Sequence, residues 1–376
     1  MTAVLTPTRT PLSALVAPTL QTIPEAVAAN VRQVRAATSS TVMAVVKADG
    51  YGHGAVTVAR AAVDAGAEWL GVTEVAEAVA LREAGLSVPI LSWLNPAGAD
   101  AVRAAAQRID IAVGSVEELR QLVADAEEPV RVHLHLDTGM ARGGCAVDDW
   151  AELLRVARRG AAAGRLEVVG VMGHLPRADE ADPAANAAAV LRMRQGRDAV
   201  LRAGFGPLLV HLAATAGALT DPSTHFGMVR IGAGLVGIDP SETVALAGAS
   251  RFTASVVHSA GVPAGTAVGY GGTCVLPRAT HLGLVGVGYA DGIPRQLSAE
   301  AGVEIGGRRY PIVGRVSMDQ IVVDTGEERY PRGTAVTLFG PEGGAVPSIQ
   351  DWARWAGTIP HTIVTGIGPR VQRSIA

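Results

Sequence analysis

Residues 41–62 read TVMAVVKADGYGHGAVTVARAA. A β-branched apolar run ends on Lys47, glycines and Tyr51 follow at once, and an alanine-rich stretch then resumes with apolar residues at helical spacing. Strand, glycine turn, helix is one βα unit. It sets a cation where a buried strand gives way to a turn. Apolar neighbours on one side and glycine on the other keep that amine near backbone and away from bulk water. Desolvation lowers an ammonium pKa, and a neutral amine can form a Schiff base. Tyr51 adds a phenol whose hydroxyl can donate to a phosphate. The glycine spacing itself matches neither the dinucleotide fingerprint nor the P-loop.

The unit recurs along the chain. Strand-like runs TVMAVV, EWLGVT, VPILSWL, RIDIAVG, RVHLHLD, LEVVGVMGH, LLVHLAAT and GMVRIGAG alternate with helical stretches such as SVEELRQLVADAE, which opens with Ser115 and Glu118 in capping-box spacing. Eight such strands predict an α/β fold of TIM type, a (β/α)8 barrel over residues 12–240, with a doubly wound open sheet as the competing arrangement. Past residue 240 the texture changes to short β-rich segments between Gly and Pro turns. A mostly β C-terminal domain over residues 241–376 follows, with residues 1–11 expected to add a strand to it.

Composition narrows the function classes. The 376 residues carry 32 Lys plus Arg against 35 Asp plus Glu, a net charge of -3, so nothing draws the chain to nucleic acid or to a membrane surface. Two cysteines, Cys145 and Cys274, suggest no disulfide framework and suit a reducing compartment. The opening MTAVLTPTRTPLSALVAPTL breaks its apolar run with prolines and makes poor material for a signal peptide or a membrane span. The expectation is a cytoplasmic protein.

In a barrel the chemistry gathers where strands end. Lys47 follows strand one, Arg142 follows strand five in HLDTGMARGG, His174 closes strand six, Thr215 follows strand seven and Arg230 lies inside strand eight. Taken singly each has an ordinary reading as a solvated cation or a structural hydrogen-bonding group. Their convergence on one end of a barrel is what singles them out.

AVVKADGYGHG resembles the cofactor-lysine motif of the alanine racemases, enzymes that use pyridoxal 5'-phosphate (PLP). DTGMARGG, GHLPRAD, MVRIGAG, VGYGGT, VGYADG and VGRVSMDQ resemble further motifs of that family, in family order and across both domains. The resemblance implies a PLP barrel with a β domain and a homodimer with shared active sites, acting on a small amino acid. It implies that Lys47 holds PLP and serves as base on one face of the substrate, while Tyr270 from the partner chain serves on the other. Arg230 resembles the arginine facing the pyridine nitrogen, with His174 and His211 supporting it. Arg142 resembles the arginine near the PLP phenolate and the substrate carboxylate. Tyr51, Thr215, Gly232 and Ala233 take phosphate-binding positions, Met318 and Asp319 resemble the loop meeting the carboxylate, and Tyr289 a gate residue. No metal is implied.

Four positions depart from the family's pattern. Ala214 stands where asparagine is usual, His135 where many members carry a carbamylated lysine, Val236 where tyrosine is common and Pro369 where some members have tyrosine. Racemisation of alanine by two bases is therefore the leading expectation, with serine or another small amino acid as a different substrate. A barrel-type PLP decarboxylase would share the lysine strand without needing a phenol in VGYGGT. A cofactor-carrying regulatory protein would not need the β domain.

Overall fold

A computed structural model describes residues 17–376. It resolves into two compact units, Pro24–Ala249, and the segment ending at Ile23 together with Ser250–Ala376.

Strand β1 (Thr19–Thr22) precedes the first unit. That unit is a closed barrel of parallel strands in sequence order, β2 (Thr41–Val45), β3 (Trp69–Val72), β4 (Ile90–Ser92), β5 (Ile109–Val113), β6 (Val130–His135), β7 (Leu166–Met172), β8 (Leu209–His211) and β9 (Met228–Ile231), with β9 pairing back onto β2. Helices between the strands cover the outside, so most strand residues are buried and the runs read as nearly continuous apolar sequence. Met43, Val45, Leu91, Ala112, Met172 and Met228 pack together as the apolar part of the interior. Gly71 admits no side chain there, because an added Cβ would press to 2.8 Å from the Met43 sulfur.

The helix Val116–Asp125 starts at Ser115, whose hydroxyl accepts from the Glu118 N–H at 3.1 Å. The reciprocal half of the expected capping box is different. Glu118 reaches one residue further back and accepts from the Gly114 N–H at 2.8 Å. It thereby ties the end of β5 to the start of the helix.

The second unit is mostly β: β10 (Ser250–Val262), β11 (Ala267–Val268), β12 (Cys274–Val275), β13 (Thr280–Val285), β14 (Gly302–Ile305), β15 (Arg308–Pro311), β16 (Ile321–Gly326), β17 (Ala335–Phe339) and β18 (Gln372–Ile375). β1 belongs to this unit. It lies between β10, antiparallel with Thr19 opposite Thr253, and β18, parallel with Thr19 opposite Gln372. The boundary drawn at residue 12 had placed these residues with the barrel. Leu20 and Thr22 are buried while Thr19 and Gln21 are half covered, an alternation that suits an antiparallel sheet. The strand expected over residues 1–11 lies outside the described residues. The helix Ile349–Ala356 is closed by Ser348 and Asp351 in a full capping box and anchored where Trp352 donates to the Leu338 carbonyl at 2.6 Å. Among the described residues no helix is long and apolar enough to cross a membrane.

Ile111 in β5 is 1 % exposed, so Ile111→Ala is expected to cost about 2–5 kcal/mol through lost contacts and the cavity left behind. Urea unfolding followed by far-ultraviolet circular dichroism measures it. A midpoint equal to that of the parent would contradict the burial.

Candidate active site

Lys47 sits at the carboxyl end of β2, and the chain after it takes an unusual course. Ala48, Asp49, Gly50 and Tyr51 have φ of 51°, 53°, 63° and 57°, four consecutive residues in the left-handed region. Each L-residue there costs about 1–2 kcal/mol, so the turn must be held from outside. The Ala55 N–H donates to Asp49 Oδ1 at 2.8 Å and the Ala48 N–H to Glu77 Oε1 at 2.8 Å. The other oxygen of Glu77 accepts from the Thr73 N–H at 2.8 Å and its hydroxyl at 2.9 Å. One carboxylate, from the helix Val75–Glu83, thus joins the loops that follow β2 and β3. A Cβ on Gly50 would lie 3.2 Å from the Ala55 backbone, so both its positive φ and its lack of a side chain matter.

The Lys47 amine is held below its ordinary pKa. Burial is the main cause, the Arg142 and Arg230 charges add to it, and Glu77 opposes. Arg230, in β9, is 4 % exposed and its guanidinium is almost fully engaged. It donates through Nη2 to the Gly173 and Leu212 carbonyls at 2.8 and 3.2 Å and to His174 Nδ1 at 3.3 Å, and through Nη1 to His211 Nδ1 at 3.0 Å. Burial brings it down to about 10, which leaves it cationic at neutral pH.

Three histidines share this interior and are held neutral. His135 falls to about 4 and His174 to about 3, each through burial first and the Arg230 charge second. His211 is pushed well below its ordinary value for the same two reasons. Arg142 lies in an exposed loop shaped by Asp137, whose Oδ1 accepts from the Gly139, Met140 and Ala141 N–H groups at 2.8, 2.9 and 3.2 Å. Its charge reaches Lys47, His135 and His174. Lys47, Arg142, His174 and Arg230 therefore meet at one mouth of the barrel.

At the same mouth the Tyr51 ring is seated against Gly232, where an added Cβ would overlap the hydroxyl. Burial pushes the Tyr51 phenol up to about 12. Thr215 is buried after β8, and its hydroxyl accepts from the Gly234 N–H at 3.1 Å, which draws the segment with Gly232 and Ala233 alongside it.

The second unit carries the remaining candidates. Tyr270 is 66 % exposed, in a turn where Gly269, Gly271 and Gly272 all have positive φ. Tyr289 and Met318 lie side by side, because the Tyr289 N–H donates to Ser317 O at 3.0 Å and the Ala290 N–H to Met318 O at 2.9 Å. Arg370 clamps the pair, with Nε on Asp291 at 2.7 Å and Nη2 on Asp319 at 2.7 Å, while Asp291 also accepts from the Gly288 N–H at 2.8 Å.

Sequence reasoning passed over Glu77, Asp110, His133 and Arg370. A signal was present for one of them: RVHLHLD places Arg131, His133 and His135 on one face of an otherwise apolar strand.

With this geometry established, comparison with known proteins is decisive. Residues 24–240 match the family model for the alanine racemase N-terminal domain and residues 249–375 that for the C-terminal domain. The chain belongs to the alanine racemase family. It is 41 % identical over 355 residues to the alanine racemase of Salinispora tropica, covering 93 % of this chain and 95 % of that one. It is similar to the solved alanine racemase of Streptomyces lavendulae, with a TM-score of 0.92 and 38 % identity over 98 % of both chains. The alanine racemase of Bartonella henselae, solved with covalently bound pyridoxal phosphate, aligns at a TM-score of 0.83 and 27 % identity over 96 % of this chain and all of that one. Members of the family are PLP-dependent isomerases, and the barrel followed by a mostly β unit is the architecture this chain shares with them.

Two outcomes follow from the electrostatics. Glu77 is the one group found to raise the Lys47 pKa, so Glu77→Gln is expected to move the amine's titration further down. The pH dependence of Lys47 acetylation in protein freed of PLP, read by peptide mass spectrometry, measures that direction, and an upward move would contradict it. His135 and His174 bind protons more weakly folded, at about 4 and about 3, than unfolded, at 6.5. Their contribution to stability is present above pH 6.5 and is lost as pH falls toward about 4 for His135 and about 3 for His174. Denaturant midpoints across that window should fall, and a flat profile would count against neutral buried imidazoles.

Proposed function

We propose that the protein interconverts L-alanine and D-alanine with PLP held in the barrel mouth, as a homodimer in which Tyr270 of a second copy completes each site. The observation that carries this reading is the Lys47 amine, half-buried at a strand end and kept below its ordinary pKa beside Arg142 and Arg230. Family membership and relatives named alanine racemase at about 41 % identity support alanine as substrate.

The donor set suits a phosphorylated pyridoxal. Lys47 offers an amine for the carbonyl carbon, Tyr51 and Thr215 offer hydroxyls, and Gly232, lacking a side chain, leaves the room that the Tyr51 hydroxyl takes up. Arg230 would face the ring nitrogen. PLP, when bound, supplies an electron sink that acidifies the α C–H of an attached amino acid. Arg230 is a donor that keeps its proton at neutral pH, so the ring nitrogen gains none, and that restrains the sink.

Lys47 and Tyr270 divide the proton traffic between two faces. Lys47 removes the α-proton from one face, and the Tyr270 phenol delivers one to the opposite face. The reverse direction exchanges their roles. Such a pair inverts the centre without turning the substrate over. Arg142 orients the substrate carboxylate together with the Met318 segment of the second copy. Asp319 sits beside that segment, and its charge is offset by Arg370, which limits repulsion of the incoming carboxylate. Tyr289 stands at the approach. Exposure of Tyr270 at 66 % and Met318 at 52 % fits side chains presented to another chain.

Circular dichroism with PLP and L-alanine or L-serine reads reaction and substrate together, and an undiminished L-alanine signal would sink the proposal. Lys47→Ala should abolish borohydride-fixable attachment of PLP. Tyr270→Phe should lower racemisation by about 10²–10⁴-fold. Solvent α-proton exchange should then survive for one enantiomer only, and full activity in both directions would exclude the second base.

A further inference from the structure

A polar chain runs through the barrel interior and ends on a residue to which neither the family resemblance nor the reaction assigns a role. Arg230 Nη1 meets His211 Nδ1 at 3.0 Å, His211 Nε2 meets His133 Nδ1 at 2.9 Å, and His133 Nε2 meets Asp110 Oδ2 at 3.2 Å. All four are buried, with both histidines at 0 %, Asp110 at 2 % and Arg230 at 4 % exposed. We propose that Asp110 is a positioning residue for Arg230, acting through His133 and His211 as a relay of fixed tautomers; its catalytic consequence rests on the racemase reading above.

The direction of every hydrogen follows from one fact. A guanidinium is donor only. His211 Nδ1 must therefore accept, so its neutral ring carries hydrogen on Nε2 and donates to His133 Nδ1. His133 in turn carries hydrogen on Nε2 and donates to the Asp110 carboxylate, an acceptor-only group when ionised. No link can reverse without setting an N–H against the guanidinium. The chain is thus a lock on orientation, unsuited to carrying protons. Asp110 is the acceptor that the far end of this chain requires.

The surroundings are shaped to admit it. Gly170 pairs with His133 across β6 and β7, and a Cβ there would overlap the His133 ring. Trp69 packs edge-on against the same ring at 5.7 Å. Asp110 shares its strand face with Ala112 of the apolar interior cluster, so without this partner its carboxylate would be an expensive group to bury. Its second oxygen accepts from Arg131 Nε at 3.0 Å. The titratable and charged groups facing the chain are Arg131 and Arg82 around Asp110, and neutral His135, Arg142 and Lys47 around Arg230 and its partner His174.

Neutron diffraction from deuterium-exchanged crystals of the holoenzyme at about pH 8 should show deuterium on Nε2 and none on Nδ1 of both His133 and His211. Deuterium on either Nδ1 would overturn the relay. That readout does not depend on turnover, so a wild-type enzyme that left L-alanine unchanged would remove the racemase reading while the nuclear positions still decided this one. In kinetics, Asp110→Ala should lower kcat by about tenfold or more with KM within about twofold, and should shift the visible absorbance of the bound cofactor. Asp110→Asn, whose oxygen still accepts from His133, should fall between. A wild-type kcat and spectrum in Asp110→Ala would overturn the positioning role. If that variant does not fold, Asp110→Asn decides by the same two measurements.

Discussion

A guanidinium enclosed in a parallel barrel is shielded from bulk water, so its donors need protein partners and its charge needs an answering one. Arg230 meets both needs with two carbonyls from the ends of β7 and β8, the imidazoles of His174 and His211 and, through His211 and His133, the Asp110 carboxylate. Much else in the interior follows from that. The histidines must be neutral to accept from it, burial and its own charge keep them so, and β7 gives up a side chain at Gly170 to make room. The same cation helps to hold the Lys47 amine below its ordinary pKa.

Lys47 depends on a second constraint, local where the first is global. Its position is set by a turn the backbone disfavours, and the groups that enforce that turn come from two directions, Asp49 within the turn and Glu77 from the helix after β3. The second unit uses comparable means. Arg370 and Asp291 bind Tyr289 and the Met318 segment into one piece, and Gly288 lets the two backbones close to contact, where any Cβ would overlap the Ser317 and Met318 carbonyls.

The barrel was legible because parallel strands covered on their outer side are written as apolar runs, and β2 to β9 each fall on one of them, β6 starting at Val130, one residue before its run. Lys47, Arg142, His174, Thr215 and Arg230 could be chosen because closure of such a barrel brings strand ends together. Glu77 and Asp110 could not. Each has a deciding partner 21 to 29 residues away, Ala48 for one and Arg131 and His133 for the other, and an acidic residue on a helix or in a strand announces nothing until those partners are placed. β1 escaped for the same reason, since the four residues TLQT take their meaning from Thr253 and Gln372.

That last pairing bears on how the chain can be dissected. The barrel is an insertion between two neighbouring strands of one sheet, β1 before it and β10 after it, and β1 is flanked on both sides. No single cut separates the units. A fragment that started at Ser250 would lack an inner strand, leaving open ladders on β10 and β18 that invite association with other chains. A clean excision of the barrel would instead need the ends at Ile23 and Ser250 rejoined by a short hairpin linker, which the antiparallel register of Thr22 opposite Ser250 already accommodates.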